Sequence, residues 1–208
     1  MRASRPLYVE IDIAAPVERV WQLTQDPVLQ PRWDARFTAI VPTRLRPDGA
    51  QEFRYELALG VHTIRGTGVS LGERLRADGR RTSALVFDTE DPLSPLGRGR
   101  GYWRYEPIEG GVRFSTGYDY APGWGRIGQV LDPLLTRRLV WWLTAWSFDR
   151  LRIWAETGAP PVPIWRAWLS GAGERPRARR CRSAPRQVAT SHARDVMADA
   201  PQTLGRLG

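Results

Sequence analysis

Rings and hydroxyls at strand spacing are the chemistry this chain most visibly carries. Alternation places Trp103 and Tyr105 on one face of a strand, and Phe114, Thr116, Tyr118 and Tyr120 on one face of the next, because successive side chains of a strand point to opposite faces. Phe53, Tyr55 and Leu57 form a similar row upstream. Apolar walls carrying a few polar handles are what a small-molecule pocket needs. Taken singly, each ring is better explained as core filling. Taken as a set, they divide evenly between cavity and core.

His62 is the only histidine in the first 158 residues. Its free pKa of about 6.5 suits proton transfer. No nucleophile or orienting acid can be placed beside it from sequence, and its position after Gly60 is favoured as an exposed turn. Catalytic residues are therefore not assigned, and whether a reaction is catalysed stays open. An inward arginine could bind a carboxylate or enolate. Arg104 and Arg113 alternate with inward rings and should point outward, while the sequence does not orient Arg65. The acids Asp88, Glu90, Asp91 and Asp119 read as solvated loop charges. Two histidines and the single Cys181 exclude the usual zinc spacings, so no metal or other cofactor is expected. Gly66-Thr67-Gly68 and the Gly97–Gly101 run lack a following helix and a lysine, so they are not phosphate loops. The latter reads as a flexible loop, a candidate lid.

Composition bounds the setting. A chain of 208 residues, 42% hydrophobic and with ten Trp, supports one domain plus a tail. Every basic residue is Arg. Residues 1–158 hold 22 Arg against 19 acids, and residues 159–208 hold 9 against 3, so the basic excess lies mostly in the tail. That tail, rich in Arg and Pro, is expected to be mostly disordered from about residue 172, with Ile164-Trp165 and Trp168-Leu169 as docking points. It lacks the interleaved aromatics of a nucleic-acid surface, so no nucleic-acid partner is expected. The start of the chain has no apolar leader. The apolar stretch Leu139–Phe148 is half of the ~20 residues a spanning helix needs. A soluble, cytoplasmic protein without a transmembrane segment is the expectation, its oligomeric state left open.

The elements that must position these residues follow from period and punctuation. Leu7–Ala14 alternates as a half-buried strand. Pro16 and Pro27 then open two short helices. From Arg36 to Ala121 the pattern is strand and turn, with reversals at Asp48-Gly49, Asp78-Gly79 and Gly110-Gly111. Asp132-Pro133 predicts an N-cap and first position of a helix that Gly158 and Pro160 end. About 25 residues lie between, with Leu139, Val140, Trp142, Leu143, Trp146, Leu151, Ile153 and Trp154 covering most of its surface. A helix this apolar is buried on more than one side, and a sheet curled around it supplies that.

The stretch VEIDIAAPVERVWQLTQDPVLQPRWDARF, residues 9–37, resembles the opening of START-like proteins of the SRPBCC superfamily, which includes polyketide cyclase/dehydrase-like members. The matching features are Ala15-Pro16 after the strand, Val20-Trp21 in the helix and Trp33 after it. The ending from Gly128 to Gly158 is also similar. The resemblance covers about residues 7–157. It implies an α+β helix-grip fold at 1–158: a curved antiparallel sheet of six to seven strands around a long C-terminal helix, with two short helices after the first strand. It further implies a cavity between sheet and helix that binds a small apolar or aromatic molecule, lipid- or polyketide-like. The expected wall is Trp33, Phe53, Tyr55, His62, Trp103, Tyr105, Phe114, Tyr118, Tyr120, Trp142 and Trp146. Two alternatives stay open: a polyketide cyclase/dehydrase-type enzyme using Tyr55, His62, Tyr105 and Tyr118, and a protein- or membrane-contacting module. The second of these requires exposed Trp on the helix and a filled core.

Overall fold

A computed structural model of the protein describes residues 6–162 and 174–185. Seven strands form one curved antiparallel sheet: β1 (Leu7–Ile13), β2 (Ala39–Leu45), β3 (Gln51–Leu59), β4 (His62–Leu75), β5 (Arg81–Asp88), β6 (Leu96–Ile108) and β7 (Gly111–Pro122). Their order is β1-β7-β6-β5-β4-β3-β2, so β2 to β7 meander and β1 closes the far edge beside β7. The turn residues dictate this path. Asp78 accepts the Arg80 N–H at 3.1 Å, and Gly79 and Gly110 take φ of 79° and 74°, left-handed backbone that tight reversals require.

Two short helices follow β1, as the prolines predict. Helix α1 (Val17–Gln25) buries Val20, Leu23 and Thr24. Asp26 then accepts the N–H groups of Val28 and Leu29 at 2.7 and 3.2 Å, and α2 (Gln30–Trp33) delivers Trp33 into the interior. The C-terminal helix begins earlier than expected. Helix α3 (Gly125–Leu131) runs through a π-helical turn, Asp132–Thr136, into α4 (Arg137–Thr157). Asp132 is therefore not an N-cap: its carboxylate is buried and accepts the Tyr120 hydroxyl at 2.6 Å. Pro133 offers no N–H and crowds the carbonyl four residues back, which suits a locally widened turn.

Two further expectations change. The Gly97–Gly101 run is not a lid; it is part of β6, paired with both β5 and β7. The tail is also ordered in part. Residues 174–185 lie along α4 and the outer edge of β1, where Glu10 and Arg182 exchange backbone hydrogen bonds of 3.1 and 2.9 Å. Arg152 ties this segment down, bonding Asp149 at 2.7 Å and Glu174 at 2.8 Å, and the Arg177 N–H reaches Asp149 at 2.7 Å. This covering explains why Tyr8 and Glu10, which alternate along β1 with the inward Val9 and Ile11, are buried as well. It also blunts an edge strand that would otherwise offer free backbone groups. Ile164, Trp165, Trp168 and Leu169 lie outside the described residues.

Candidate functional site

The helices gather at one end of the sheet. Helix α4 packs mainly on β1 and on residues 174–185, and α1 packs on β6 and β7. Between them the expected wall rings meet one another. Trp33 lies 6.0 Å from Trp103 and 6.3 Å from Phe148, and Phe114 lies 5.0 Å from Tyr105 and 4.5 Å from Phe148, centroid to centroid. The polar tips are satisfied within this layer. Trp33 Nε1 donates to the Leu23 carbonyl at 2.8 Å, and the Tyr105 hydroxyl meets Thr24 at 2.6 Å and Gln25 at 2.9 Å. Trp33, Trp103, Tyr105 and Phe114 thus fill the interior here.

The concave face of β3, β4 and β5 is different. Register places rings and glycines in alternate columns along one row: Phe53 opposite Gly68, Gly68 opposite Phe87, Phe87 opposite Gly99, Gly99 opposite Tyr120. A Cβ at Gly68 would overlap the Phe53 ring, one at Gly99 the Phe87 ring, and one at Gly66 the Tyr55 ring. The rings therefore lie flat on the sheet where glycine leaves room, a cross-strand arrangement that compensates glycine in strands. Flat rings make a shallow floor. Phe53, Leu57, Leu85 and Phe87 are only half-buried, so space remains above them. This half of the sheet, the cleft, is the less covered part of the concave face.

At the back of the cleft, where it meets the packed layer, sits Arg36. Its guanidinium bonds the fully buried Asp34 in bidentate fashion, Nε to Oδ1 at 2.8 Å and Nη2 to Oδ2 at 2.6 Å. It lies 6.0 Å from the Tyr118 ring and 5.7 Å from that of Phe37, and Phe37 packs edge-on against Tyr55 at 5.6 Å. Burial opposes the charge, but Asp34 outweighs it and raises the Arg36 pKa. The Tyr118 hydroxyl shares a 2.9 Å hydrogen bond with Thr144 on α4; burial raises its pKa, and Arg36 partly offsets this. Burial, helped by Asp88, pushes Tyr55 up to about 12. Sequence reasoning missed Arg36. The available signal was the Asp34-x-Arg36 spacing directly after the inward Trp33. It also missed Phe37 and Phe87.

A family model described as polyketide cyclase/dehydrase and lipid transport matches residues 6–152. The chain belongs to that family. A curated relative, the "uncharacterized membrane protein YndG" of Bacillus subtilis, is 39% identical over 159 residues, or 76% of this chain; the match spans 59% of YndG's own length. Among solved structures, the STAR-related lipid transfer protein of Xanthomonas axonopodis shares 15% identity at a TM-score of 0.54, covering 71% of this chain and 83% of that one. The di-domain aromatase/cyclase StfQ of the steffimycin pathway shares 14% at 0.57, covering 74% and 51%. These likenesses establish the helix-grip fold. No described helix is long and apolar enough to cross a membrane.

Within this family member the remaining candidates separate. His62 Nε2 lies 3.0 Å from Asp91, at the strand start facing the cleft side, with 38% of its side chain exposed. The Leu93 N–H and His62 hold the Asp91 carboxyl below its usual range. Arg104 and Arg113 point outward as expected, Arg104 over the Tyr102 ring and Arg113 onto Asp12 at 2.8 Å. Arg65 is outward too, paired with Glu56 at 3.1 Å. Asp119 pairs with Arg100 at 3.1 Å. An open depression of about 460 Å³ lies at the β2–β4 end of the sheet, lined from both faces by Phe53 and Gly68 as well as Arg44, Glu52, Arg54 and Thr67 among others. Trp142 does not join the wall, and Trp146 is half-buried and touches the core only from its rim. They stack on each other at 6.2 Å on the side of α4 opposite Val140, Thr144, Phe148 and Leu151, and Trp142 is 49% exposed. The helix has room for only one sheet-facing side, and these residues are half a turn from it.

Proposed function

We propose that the protein binds a small apolar or aromatic molecule in the cleft above β3, β4 and β5. The floor is Phe53, Tyr55 and Phe87, Phe37 and Tyr118 form the back, and Arg36 supplies one cationic end. The observation that carries this reading is the row of rings laid over glycines on a half-buried face, where no helix among the described residues packs closely on β3 or β4. Such a floor takes a planar or chain-like apolar body, and the guanidinium suits an acid, enolate or phenol at its end. A lipid- or polyketide-like ligand meets both conditions.

The test is titration with the neutral fluorophore N-phenyl-1-naphthylamine. Saturable binding is expected, weakened roughly tenfold, about 1.4 kcal/mol, in Phe53→Ala and Tyr55→Ala. Unchanged binding in both folded variants overturns the reading. A cyclase- or dehydrase-type reaction is a second reading, favoured by the His62–Asp91 pair, which sets an imidazole and a carboxylate within hydrogen-bond reach of each other at the rim. It requires turnover of an aromatic polyketide substrate that His62→Gln abolishes while fluorophore binding persists.

A further inference from the structure

We propose that the outer face of α3 and α4 is a docking surface for an anionic lipid bilayer. Ile127, Val130, Leu134, Leu135, Leu139 and Trp142 are between 49% and 69% exposed. Single exposed apolar residues are ordinary, but a contiguous run along one helical segment marks an interaction site. Leu93 and Trp124 extend it, since Trp124 Nε1 donates to the Pro92 carbonyl at 3.1 Å and draws that loop against the start of α3.

The π-helical turn is what makes the run contiguous. Val130 and Phe148 are eighteen residues apart, five whole turns of an unbroken α-helix. Val130 would then share the azimuth of Phe148, which is fully buried, yet Val130 is 67% exposed. Ile127 and Ala145 repeat the relation, one exposed and the other buried. A π turn slips the helix by about one residue, roughly 100° of phase. That slip swings α3 so that its apolar residues line up with Leu139 and Trp142. Trp142 is held by its stack on Trp146, over which the Arg150 guanidinium sits at 4.8 Å, so the ring is presented rigidly.

Charge selects the occupant. Between Asp119 and Asp149 the sequence holds one acid, Asp132, and it is buried against Tyr120. Arg126 and Arg138 flank the stripe and are exposed. A second copy seated on this face in two-fold fashion would set those arginines against their own counterparts, with no exposed acid of this segment to meet them. An anionic headgroup layer meets them favourably while the apolar stripe enters the acyl boundary. Trp124 and Trp142, one near each end, are the ring type that settles at that interface.

The experiment is co-sedimentation of the full chain with two kinds of vesicle, phosphatidylcholine alone and phosphatidylcholine with about 30 mol% phosphatidylglycerol. Binding to the second kind is expected, weakened by about 0.5 M NaCl and lost roughly tenfold or more in Leu139→Ser/Trp142→Ser. That variant should keep its melting temperature and its N-phenyl-1-naphthylamine affinity, which separates this surface from the cleft. Failure of the natural chain to bind either vesicle overturns the proposal, as does undiminished binding by the folded variant. A concentration-dependent dimer that the variant abolishes, with no vesicle binding, overturns it in favour of self-association.

Discussion

Adding one methyl group to the cleft floor separates the roles of its glycines. In Gly68→Ala the nearest atoms to the new Cβ belong to the Phe53 ring. Phe53 is only half-buried, so its ring can lift away. Replacing the glycine meanwhile gains the strand roughly 0.5–1 kcal/mol, which offsets the lost ring–sheet contact to within about 1 kcal/mol. In Gly99→Ala the Cβ would meet the Phe87 ring and also the Asp119 carbonyl oxygen at 2.7 Å. That oxygen is fixed in the β6–β7 ladder and cannot retreat without disturbing it. Overpacking of this kind costs about 1–3 kcal/mol, or roughly 2–12 °C of Tm in a domain of this size. Thermal melts should therefore place Gly68→Ala within a few degrees of the natural chain and Gly99→Ala clearly below it. Fluorophore titration should show the reverse emphasis. With Phe53 lifted into the cleft, Gly68→Ala should bind N-phenyl-1-naphthylamine roughly five-fold more weakly, about 1 kcal/mol. Equal melting of the two variants, or unchanged affinity in folded Gly68→Ala, refutes the picture of flat rings below an open space.

Three other outcomes follow from contacts already described. Asp34→Ala strands the Arg36 charge in the interior and should destabilise the fold by about 3–5 kcal/mol; a urea midpoint that barely moves would show Arg36 to be solvated. Burial raises Tyr55 from 10.0 and Cys181 from 9.0, each to about 12, so the unfolded chain loses these protons first. Their contribution to stability is complete below about pH 9 and is lost as pH rises toward 12; urea midpoints at pH 8 and pH 11 should fall accordingly, and equal midpoints contradict it. Truncation after residue 162 removes Arg182 from Glu10 and the Arg177 N–H from Asp149, bares the edge of β1, and should lower Tm by several degrees with visible self-association in light scattering.

The fold was legible because its signals are local. The alternation of Leu7–Ile13, the prolines after it and the Gly turns each fix one element without reference to any other. The site was legible only in part, because it depends on which rings touch. Alternation correctly turned Trp103, Tyr105, Phe114 and Tyr118 inward, yet it holds no information on whether inward means core or cleft. Phe148 decides that for Phe114 by lying 4.5 Å away, a contact spanning 34 residues of chain. The glycines of 97–101 looked like loop material because their use is cross-strand: Gly99 is defined by the Phe87 ring on the neighbouring strand, which a single strand's pattern does not show. Residues 174–185 were read from composition, and composition does not register that Asp149 and Arg152 inside α4 need partners.

The same limit explains the misreading of α4. A helix apolar nearly all round implies cover nearly all round, and a curled sheet was the simplest cover. The structure divides that surface into three. Val140, Thr144, Phe148 and Leu151 face the sheet and short helices, while Ala145, Asp149 and Arg152 face residues 174–185. The third side, from Leu139 to Trp142, meets no element among the described residues. Each large apolar side chain left in water forgoes on the order of 1–2 kcal/mol of burial, so the six along α3 and α4 represent a reserve that folding of the described residues does not use. The π turn adds to the exposure, since it rotates Val130 and Ile127 away from the azimuths of buried residues and onto the uncovered side. A helix irregularity that increases solvent-exposed apolar surface is unfavourable to the isolated fold and favourable to a bound one, which is why the outer face is best understood through what it docks against.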